Sequence, residues 1–290
     1  MVSEFASSYI LGVMMGDLHW ACGVLLAISV GLFHLGQRVA EYCPRAGNVL
    51  ATATSGLLVA FAATLHGKLV LAAILPLSNV VVLGNLLPPA ASLLGGILFG
   101  NRGVPRWRRM IAVWFLLSGA WLSVYRDVAS RPPQVSFRWY RDGTVIQTNS
   151  ATCSPSAAAT LLHLHGIEAT EREMARLCLT RTGGTPRLGL YRGLKLKTRG
   201  TPWRVEVVRV GTDRLDLMDD RPVVLSVRLD EADRSAGGLS VGRDHCVVFL
   251  GLDADGNAHI LDPTIGYTRW SAERLARVCR EGLRLVPRNP

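Results

Sequence analysis

Hydrophobic residues run almost without interruption through the first part of the chain, whereas the remainder mixes hydrophobic with charged and polar positions. Four long apolar segments stand out in the first part, over residues 9–35, 49–65, 69–87 and 110–125. A helix needs about 20 apolar residues to cross the hydrocarbon core of a bilayer. Each segment is near that length, so we predict a multi-pass α-helical membrane region over residues 1–126.

A shorter apolar stretch, Ala90–Phe99, follows Pro88 and Pro89. It is too short to cross a bilayer alone. Two interpretations are open: the stretch extends the third helix beyond a proline kink, or it lies in the membrane as a re-entrant segment. The choice matters because an additional crossing would move the rest of the chain to the other side of the membrane.

Basic residues between the predicted spans indicate the orientation. Arg38 and Arg45 follow the first span, and the turn His66–Lys68 after the second is nearly neutral. A basic group precedes the fourth span: Arg102, Arg106, Arg108 and Arg109. Because Arg-rich loops stay in the cytoplasm, four crossings place the N-terminus and the C-terminal domain outside, whereas a fifth crossing near residue 95 would place the domain inside.

The pattern after residue 126 is that of a soluble domain. Residues 127–143 contain Pro132 and Pro133 and are predicted to be a linker. Pro155 suits the first turn of a helix that ends before Gly166, and Thr170 opens a capping box. Helices are predicted over Ser154–His165, Glu171–Leu179 and Leu188–Thr198.

Strand patterns follow these helices. Alternating or continuous apolar runs predict strands over Trp203–Val210, Pro222–Leu229, His245–Leu252 and Ala258–Pro263. The letters DADGN between the last two indicate a tight hairpin. Ser271 is predicted to cap a last short helix that stops at Gly282. Helices followed by an antiparallel sheet indicate an α+β domain over residues 144–290.

Charge and cysteine content narrow the classes of function. The formal net charge is +10, but the basic residues of the second part are mostly single arginines without a dense block. This argues against nucleic-acid binding, and a nearby anionic lipid surface explains the charge more simply. The six cysteines form no C-x-x-C pair and match neither a zinc site nor a disulfide framework. We predict no metal and no cofactor.

Four residues of the second part have the order and spacing of a thiol-dependent active site. Cys153 begins a predicted helix, where free N–H groups and the helix dipole favour a thiolate of low pKa. His245 begins one strand and Asp262 ends the next, so an antiparallel pair brings imidazole and carboxylate to the same end. Gln147 lies six residues before Cys153 and is placed to donate its amide to an oxyanion.

The stretches that carry these residues resemble a known family. They are QTNSATCSPSAAATLLHLHGI, DHCVVFLGLD and HILDPTIGYTRWSAERL. Over about residues 144–286 they resemble the C39 peptidases, papain-like cysteine peptidases that cut leader peptides after a double glycine and are often joined to peptide-exporting ABC transporters. The resemblance implies that Cys153 is the nucleophile, His245 the general base, Asp262 its orienting partner and Gln147 the oxyanion donor.

The resemblance also implies a setting. The expected substrate is a peptide or protein precursor, cut after small residues such as Gly-Gly, and a separate export transporter is an expected partner. With the apolar spans, it predicts a multi-pass protein of the bacterial inner membrane with its peptidase domain on the periplasmic or extracellular side. Gly183, Gly184 and Thr185 are predicted to bind substrate, the alternative being that they only turn the chain.

Three departures from the family keep other functions open. The family usually has Asp-Cys-Gly at the nucleophile, where this chain has Thr152, Cys153 and Ser154; no Walker A motif follows; and the membrane region precedes the domain. The alternatives are a non-proteolytic peptide-binding module of an export system, a thiol acyltransferase with the same intermediate, and a transporter-like membrane region with the domain as regulator.

The remaining candidate residues have plainer interpretations. Cys178 and Cys279 are predicted to be core residues of helices, and Cys246 to face the opposite side of its strand from His245. His163 and His165 are two residues apart on a helix, which separates their side chains. The segment RSAGGLSVGRD before His245 is predicted to be a flexible loop bordering the site.

Overall fold

The chain folds into two compact units. The structure is a computed structural model and describes residues 2–129, 131–136, 139, 143–209, 221–229 and 244–288. Met1–Leu71 and Asn79–Ala129 form the first unit, and Ala72–Ser78 and Ser130–Pro290 form the second. The linker predicted over 127–143 lies only partly within the described residues and remains a prediction. The loop predicted before His245 lies outside them, apart from Asp244.

The first part of the chain is helical. The helices are α1 Val2–Tyr42, α2 Pro44–Thr64, α3 Val70–Ile74, α4 Val80–Leu83, α5 Leu87–Gly100 and α6 Arg106–Val128. Within the described residues four segments are long and apolar enough to cross a membrane: Gly16–Tyr42, Pro44–Thr64, Val80–Gly100 and Arg106–Val128. A helical region with four apolar candidate spans is therefore confirmed.

The third span differs from the predicted one. Residues 69–87 do not form one helix, because α3 ends at Ile74, two residues before Pro76, and helix resumes only at Val80. A proline disfavours helical backbone in the residue before it and removes a donor, so Pro76 explains the end of α3. Pro88 and Pro89 lie in the first turn of α5, where proline is tolerated. The stretch Ala90–Phe99 is thus the main part of the third candidate span.

Small residues allow α1 and α5 to pack backbone against backbone. A Cβ atom on Gly96 would lie 1.9 Å from the Phe33 carbonyl oxygen, and one on Gly36 would lie 2.4 Å from the Leu93 carbonyl oxygen. A side chain at either position would separate the helices. Such close contacts between small residues are the usual means by which membrane helices associate. The third span is accordingly 67% buried, against 22% or less for the others.

The second unit has helices before strands. The helices are α7 Cys153–Leu164, α8 Glu171–Leu177 and α9 Arg187–Lys197. The strands and the last helix are β1 Trp203–Arg209, β2 Val223–Arg228, β3 Asp244–Leu252, β4 Ala258–Asp262, β5 Gly266–Trp270, α10 Ala272–Val278 and β6 Cys279–Pro287. Thr170 accepts a hydrogen bond from the Glu173 backbone N–H, as the capping box predicts.

The described strands form one sheet in the order β1-β6-β2-β3-β4-β5. Neighbours are antiparallel throughout, so the α+β arrangement is confirmed. On the sheet, Phe249 and Ile260 belong to a buried apolar cluster that also includes Trp270 and Leu275. Helix α7 packs on β3 and β2, and its second residue, Ser154, contacts Cys246 near the start of β3.

The last strand of the chain, after the Ser271 helix, is absent from the sequence prediction. The Ser271 hydroxyl accepts from the Arg274 backbone N–H and caps α10, but that helix ends at Val278 instead of Gly282. Residues 279–287 form β6, between β1 and β2. Gly282 lies inside this strand, where a Cβ would approach Val223 and Leu225 to less than 3.0 Å. A glycine that suggests a helix end in the sequence is required here for strand packing.

Candidate active site

Cys153 is the first residue of α7 and is half-buried. The preceding Thr152 does not cap the helix with its side chain, because its hydroxyl lies 2.7 Å from the Asn149 carbonyl oxygen and 2.5 Å from the Glu171 carboxylate. The first N–H groups of an α-helix have no acceptor within the helix. Pro155 has no N–H, and the Ser156 N–H bonds to the Thr152 carbonyl oxygen. The N–H groups of Cys153 and Ser154 are therefore the ones without an acceptor inside the helix. Beside the Cys153 thiol these groups favour negative charge.

A buried carboxylate holds the segment that leads into Cys153. Glu171 is 0% exposed, and its two oxygens accept hydrogen bonds from the Thr148 backbone N–H, the Thr148 hydroxyl and the Thr152 hydroxyl. Burial raises the pKa of Glu171, and these hydrogen bonds oppose the increase. Three bonds to one side chain tie residues 148–152 to α8 and so position the start of α7.

His245 and Asp262 form a buried pair at one end of neighbouring strands. The His245 Nε2 atom lies 3.0 Å from the Asp262 Oδ1 atom. Asp262 also accepts from the Thr264 backbone N–H at 2.8 Å, which fixes the carboxylate at the end of β4. The other ring nitrogen, His245 Nδ1, is buried and has no hydrogen-bond partner among the described residues. The ring therefore presents a free nitrogen for a third group.

The charges of this pair reinforce each other. Burial lowers the pKa of His245, but the hydrogen bond to Asp262 and the neighbouring Cys153 outweigh burial and raise this pKa to about 10. Burial raises the pKa of Asp262, but the hydrogen bond to His245 and the positive charge of His245 lower it by more. The pKa of Asp262 is therefore below its usual value. The imidazolium form is thus stabilised beside the Cys153 thiol.

The thiol itself does not have the low pKa that its place at a helix start predicts. Contact with the Cys246 side chain and burial raise the pKa of Cys153, while contact with His245 lowers it. The helix terminus is therefore one influence among several. The sequence prediction neglected the second thiol, whose effect is larger than that of the imidazole.

Cys246 lines the same cavity as Cys153 and His245. Its sulfur accepts a hydrogen bond from the Ser154 hydroxyl at 3.1 Å. The predicted alternation of Cys246 and His245 along the strand does not keep Cys246 away from the site, because Cys246 contacts Ser154 of α7 and lines the same cavity as His245. Strand alternation alone could not show this.

Gln147 is buried, and its side chain does not line the cavity as an oxyanion donor is expected to. Its side-chain Nε2 donates to the Asn149 carbonyl oxygen at 3.2 Å, and its backbone N–H donates to the Pro263 carbonyl oxygen at 2.8 Å. Gln147 is not among the residues that line the cavity. The second contact ties it to the turn after Asp262, and the amide keeps a second N–H, so its role as oxyanion donor remains a prediction.

The cavity has a volume of about 380 Å³. Gly183, Gly184 and Thr185, the predicted substrate-binding residues, form part of its wall together with Cys153 and His245. Gly184 has a φ of +111° within a tight turn closed by Arg181 and Gly184, so glycine is needed there for the backbone. A Cβ on Gly183 would meet nothing within 4 Å. These residues both turn the chain and line the cavity.

His163, near the end of α7, and His165, just after it, do not bind one metal ion together. His163 Nε2 lies 2.9 Å from the Ala169 carbonyl oxygen, and His165 Nδ1 lies 2.8 Å from the Leu161 carbonyl oxygen. Their rings contact different tryptophans, Trp139 and Trp203. Across the part of the chain that the structure describes, no group of three or more His, Cys, Asp or Glu side chains could hold a metal ion.

Sequence reasoning did not identify the contributions of Glu171, Ser154 and Cys246. The sequence pattern places Glu171 at the start of a helix opened by a capping box, and does not show that this carboxylate is buried and therefore requires polar partners. The sequence indicates Ser154 and Cys246 only in that each directly follows a predicted catalytic residue, Cys153 or His245. Their mutual contact spans 92 positions in sequence and could not be read from spacing.

Comparisons with known proteins found similar solved structures over about half of the chain. No protein-family model matches the chain, and no curated protein matches it. The peptidase domain of Streptococcus ComA, a bifunctional ABC transporter of a quorum-sensing pathway, is similar over 51% of this chain and 100% of its own, with 19% identity and a TM-score of 0.41. A double-glycine-motif protease from an AMS/PCAT transporter, solved with its leader peptide, is similar over 53% of this chain and 94% of its own, with 15% identity and a TM-score of 0.38. The peptidase domain of Streptococcus mutans ComA covers 50% of this chain and 99% of its own, with 19% identity and a TM-score of 0.36.

Proposed function

We propose that this chain is a membrane-anchored cysteine peptidase that cleaves a peptide or protein precursor, with Cys153 as nucleophile, His245 as general base and Asp262 as orienting partner. The observation that carries the proposal is the buried pair in which His245 Nε2 meets Asp262 Oδ1 at 3.0 Å. This contact leaves Nδ1 for the thiol of Cys153, which lines the same cavity. Thiol, imidazole and carboxylate in this order are what acyl transfer through a thioester requires.

In the proposed reaction the Cys153 sulfur attacks the carbonyl carbon of the scissile peptide bond. His245 Nδ1 takes the thiol proton and delivers it to the leaving amine nitrogen, so that a thioester remains on Cys153. Water then attacks this thioester with His245 as base, and the thiol is regenerated. Asp262 keeps the ring oriented and stabilises its positive charge throughout.

The negative charge on the substrate oxygen needs hydrogen-bond donors in the same place. The free backbone N–H of Cys153 at the start of α7 supplies one. The second N–H of the Gln147 amide is the proposed other donor, since its first N–H bonds to Asn149. Removing a donor of this kind costs about 100-fold to 1000-fold in kcat.

The proposed substrate has small residues before the cut. The cavity wall at Gly183 is open, because a Cβ there would meet nothing within 4 Å, and this leaves space for a substrate backbone close to the wall. A Gly-Gly preference is suggested by the family resemblance of the motifs. A separate export transporter, as a partner that receives the product, belongs to the same proposal.

The membrane helices are proposed to anchor the domain to the bacterial inner membrane on its outer side. Four candidate spans return the chain to the side on which it starts. The arginines at 102, 106, 108 and 109 precede the last span and favour a cytoplasmic loop there. An impermeant thiol reagent added outside intact cells is expected to label a Gln134→Cys variant at its exposed new thiol; labelling only after lysis would place the domain inside.

The test of the proposed function is cleavage of a peptide library by the purified full chain in detergent. Mass spectrometry is expected to show one cleavage position, after small residues, and no cleavage by Cys153→Ala. The matched control is Cys43→Ala, which removes an exposed thiol from the first unit and is expected to cleave normally. Cleavage by Cys153→Ala would refute the assignment, and peptides bound but never cut would indicate a binding module.

A further inference from the structure

The cavity contains two thiols, and the proposed peptide cleavage uses only one. Cys153 and Cys246 both line it, whereas Cys178 and Cys279 are buried elsewhere and do not. A buried cysteine on a strand is ordinarily a small core residue. The surroundings of Cys246 differ from a core, because hydroxyl groups and a second sulfur contact it.

Ser154 joins the two sulfurs. Its hydroxyl oxygen lies 3.1 Å from the Cys246 Sγ atom and 3.9 Å from the Cys153 Sγ atom. The Ser226 hydroxyl lies 3.8 Å from Cys246 Sγ on the neighbouring strand. Since both sulfurs approach one oxygen atom, they are neighbours at the start of α7. The serine that replaces the glycine of the resembling family is thus the residue that contacts Cys246.

We propose that Cys153 and Cys246 form a reversible disulfide when a hydroperoxide enters the cavity. The Cys153 sulfur passes its proton to His245 and attacks one oxygen of hydrogen peroxide; an S–O bond forms, the O–O bond breaks, and the other oxygen takes that proton and leaves as water. The Cys246 sulfur then attacks the Cys153 sulfur, an S–S bond forms, and the S–O bond breaks to release a second water. The two sulfurs lose two electrons in total, and the peroxide gains them.

The direction of this sequence follows from exposure. Cys153 is half-buried and meets the oxidant first, while Cys246 is 6% exposed and lines the same cavity. A resolving cysteine beside a reactive one prevents irreversible oxidation to sulfinic and sulfonic acids.

As a means of stopping and restoring peptide cleavage, the disulfide rests on the proposed function. The chemistry of the two thiols is independent of it. If the domain faces the outside of the membrane, where thiols meet oxidising conditions, a resolving thiol next to the nucleophile protects it. A reductant then returns the nucleophile, and cleavage resumes.

The experiment uses the reduced full chain in detergent, treated with one equivalent of hydrogen peroxide and then alkylated. Peptide mapping by mass spectrometry is expected to show a Cys153–Cys246 cross-link, loss of both thiols to alkylation, and recovery of both after dithiothreitol. Cys246→Ser is expected to convert Cys153 to sulfinic and sulfonic acids that dithiothreitol does not reverse. The matched control, Cys279→Ser, is expected to form the same cross-link as wild type.

The wild-type measurement alone decides the proposal, even where a variant does not fold. Oxygen added to Cys153 without a cross-link, a cross-link between other cysteines, or six unmodified thiols would each overturn it. The readout is a mass and not a cleavage rate. An absence of cleavage by the reduced chain would therefore count against the proposed peptidase and leave the result for the disulfide intact.

Discussion

At the scale of single residues, Cys153 is influenced by two neighbours of opposite effect. Cys246 raises its pKa and His245 lowers it. Replacing Cys246 by alanine removes the larger of these two influences, so the pKa of Cys153 is expected to fall. The measurement is the rate at which iodoacetamide alkylates Cys153 as a function of pH, followed by peptide mapping.

Two outcomes bear on this prediction. Cys178→Ala, which removes a buried thiol that does not line the cavity, should leave the alkylation profile of Cys153 unchanged. An unchanged profile in Cys246→Ala would show that the two thiols do not influence each other, and an upward shift would reverse the assigned sign.

The His245–Asp262 pair predicts how stability depends on pH. The pKa of Asp262 is lowered from 3.8, so its contribution is present above pH 3.8 and is lost as the pH falls through the lower folded-state value. The pKa of His245 is raised from 6.5 to about 10, so its contribution is complete below pH 6.5 and is lost as the pH rises through 10.

Asp262→Asn is therefore expected to lower the melting temperature most at pH 5 to 6 and least near pH 10. Thermal unfolding of the full chain in detergent, followed by tryptophan fluorescence, measures both differences. An equal loss of melting temperature at both pH values would show that the pair contributes no charge interaction to the folded state.

Glu171 predicts a stability effect without direct contact with substrate. Glu171→Ala leaves the Thr148 N–H and the Thr148 hydroxyl without their acceptor, while the Thr152 hydroxyl keeps only the Asn149 carbonyl oxygen. An unsatisfied buried polar group costs about 1–3 kcal/mol, so a marked fall in melting temperature is expected. Glu168→Ala changes an exposed carboxylate on the same segment and should leave it unchanged; equal effects would contradict the role assigned to Glu171.

At the scale of structural elements, the turn between α8 and α9 contains two glycines with different roles: Gly184 is needed for the backbone conformation, and Gly183 leaves space in the cavity. Gly184→Ala is expected to lower the melting temperature, because the φ of +111° disfavours a side chain. Gly183→Ala should fold normally, since its Cβ meets nothing within 4 Å, but should raise the KM for peptide cleavage by narrowing the cavity. A Gly183→Ala enzyme with unchanged KM would exclude this wall from the substrate path.

The elements also show which patterns the sequence reveals. Helices α7 to α9 and strands β1 to β4 were predicted to within a few residues, because their periodicity and their capping residues Thr170 and Gly166 are local. The predicted third membrane span, 69–87, differs from the observed Val80–Gly100 because the sequence is apolar throughout this part and does not show that the helix is interrupted near Pro76. Strand β6 was missed because its pairing partners, β1 and β2, lie more than 50 positions away.

At the scale of the whole molecule, one chain combines a helical unit with four candidate membrane spans and an α+β unit that carries the thiol site. The order of Cys153, His245 and Asp262 was readable from sequence, because a helix start and two strand ends are local features. The proximity of Cys246, and the way Glu171 holds residues 148–152, depend on packing between distant segments and were not. The proposed site therefore combines residues that the sequence predicts with residues that only the packing of the structure reveals.

The central claim is that His245 activates Cys153 as a nucleophile toward peptides ending in small residues. Its most direct test is the rate at which a Gly-Gly chloromethyl ketone modifies the full chain, with the modified residue identified by mass spectrometry. Wild type is expected to be labelled at Cys153, and His245→Ala to be labelled about 100-fold more slowly. The control, His259→Ala, removes a histidine that contacts Tyr267 and should react as wild type does. Labelling at Cys246 instead of Cys153, or equal rates with and without His245, would contradict the account.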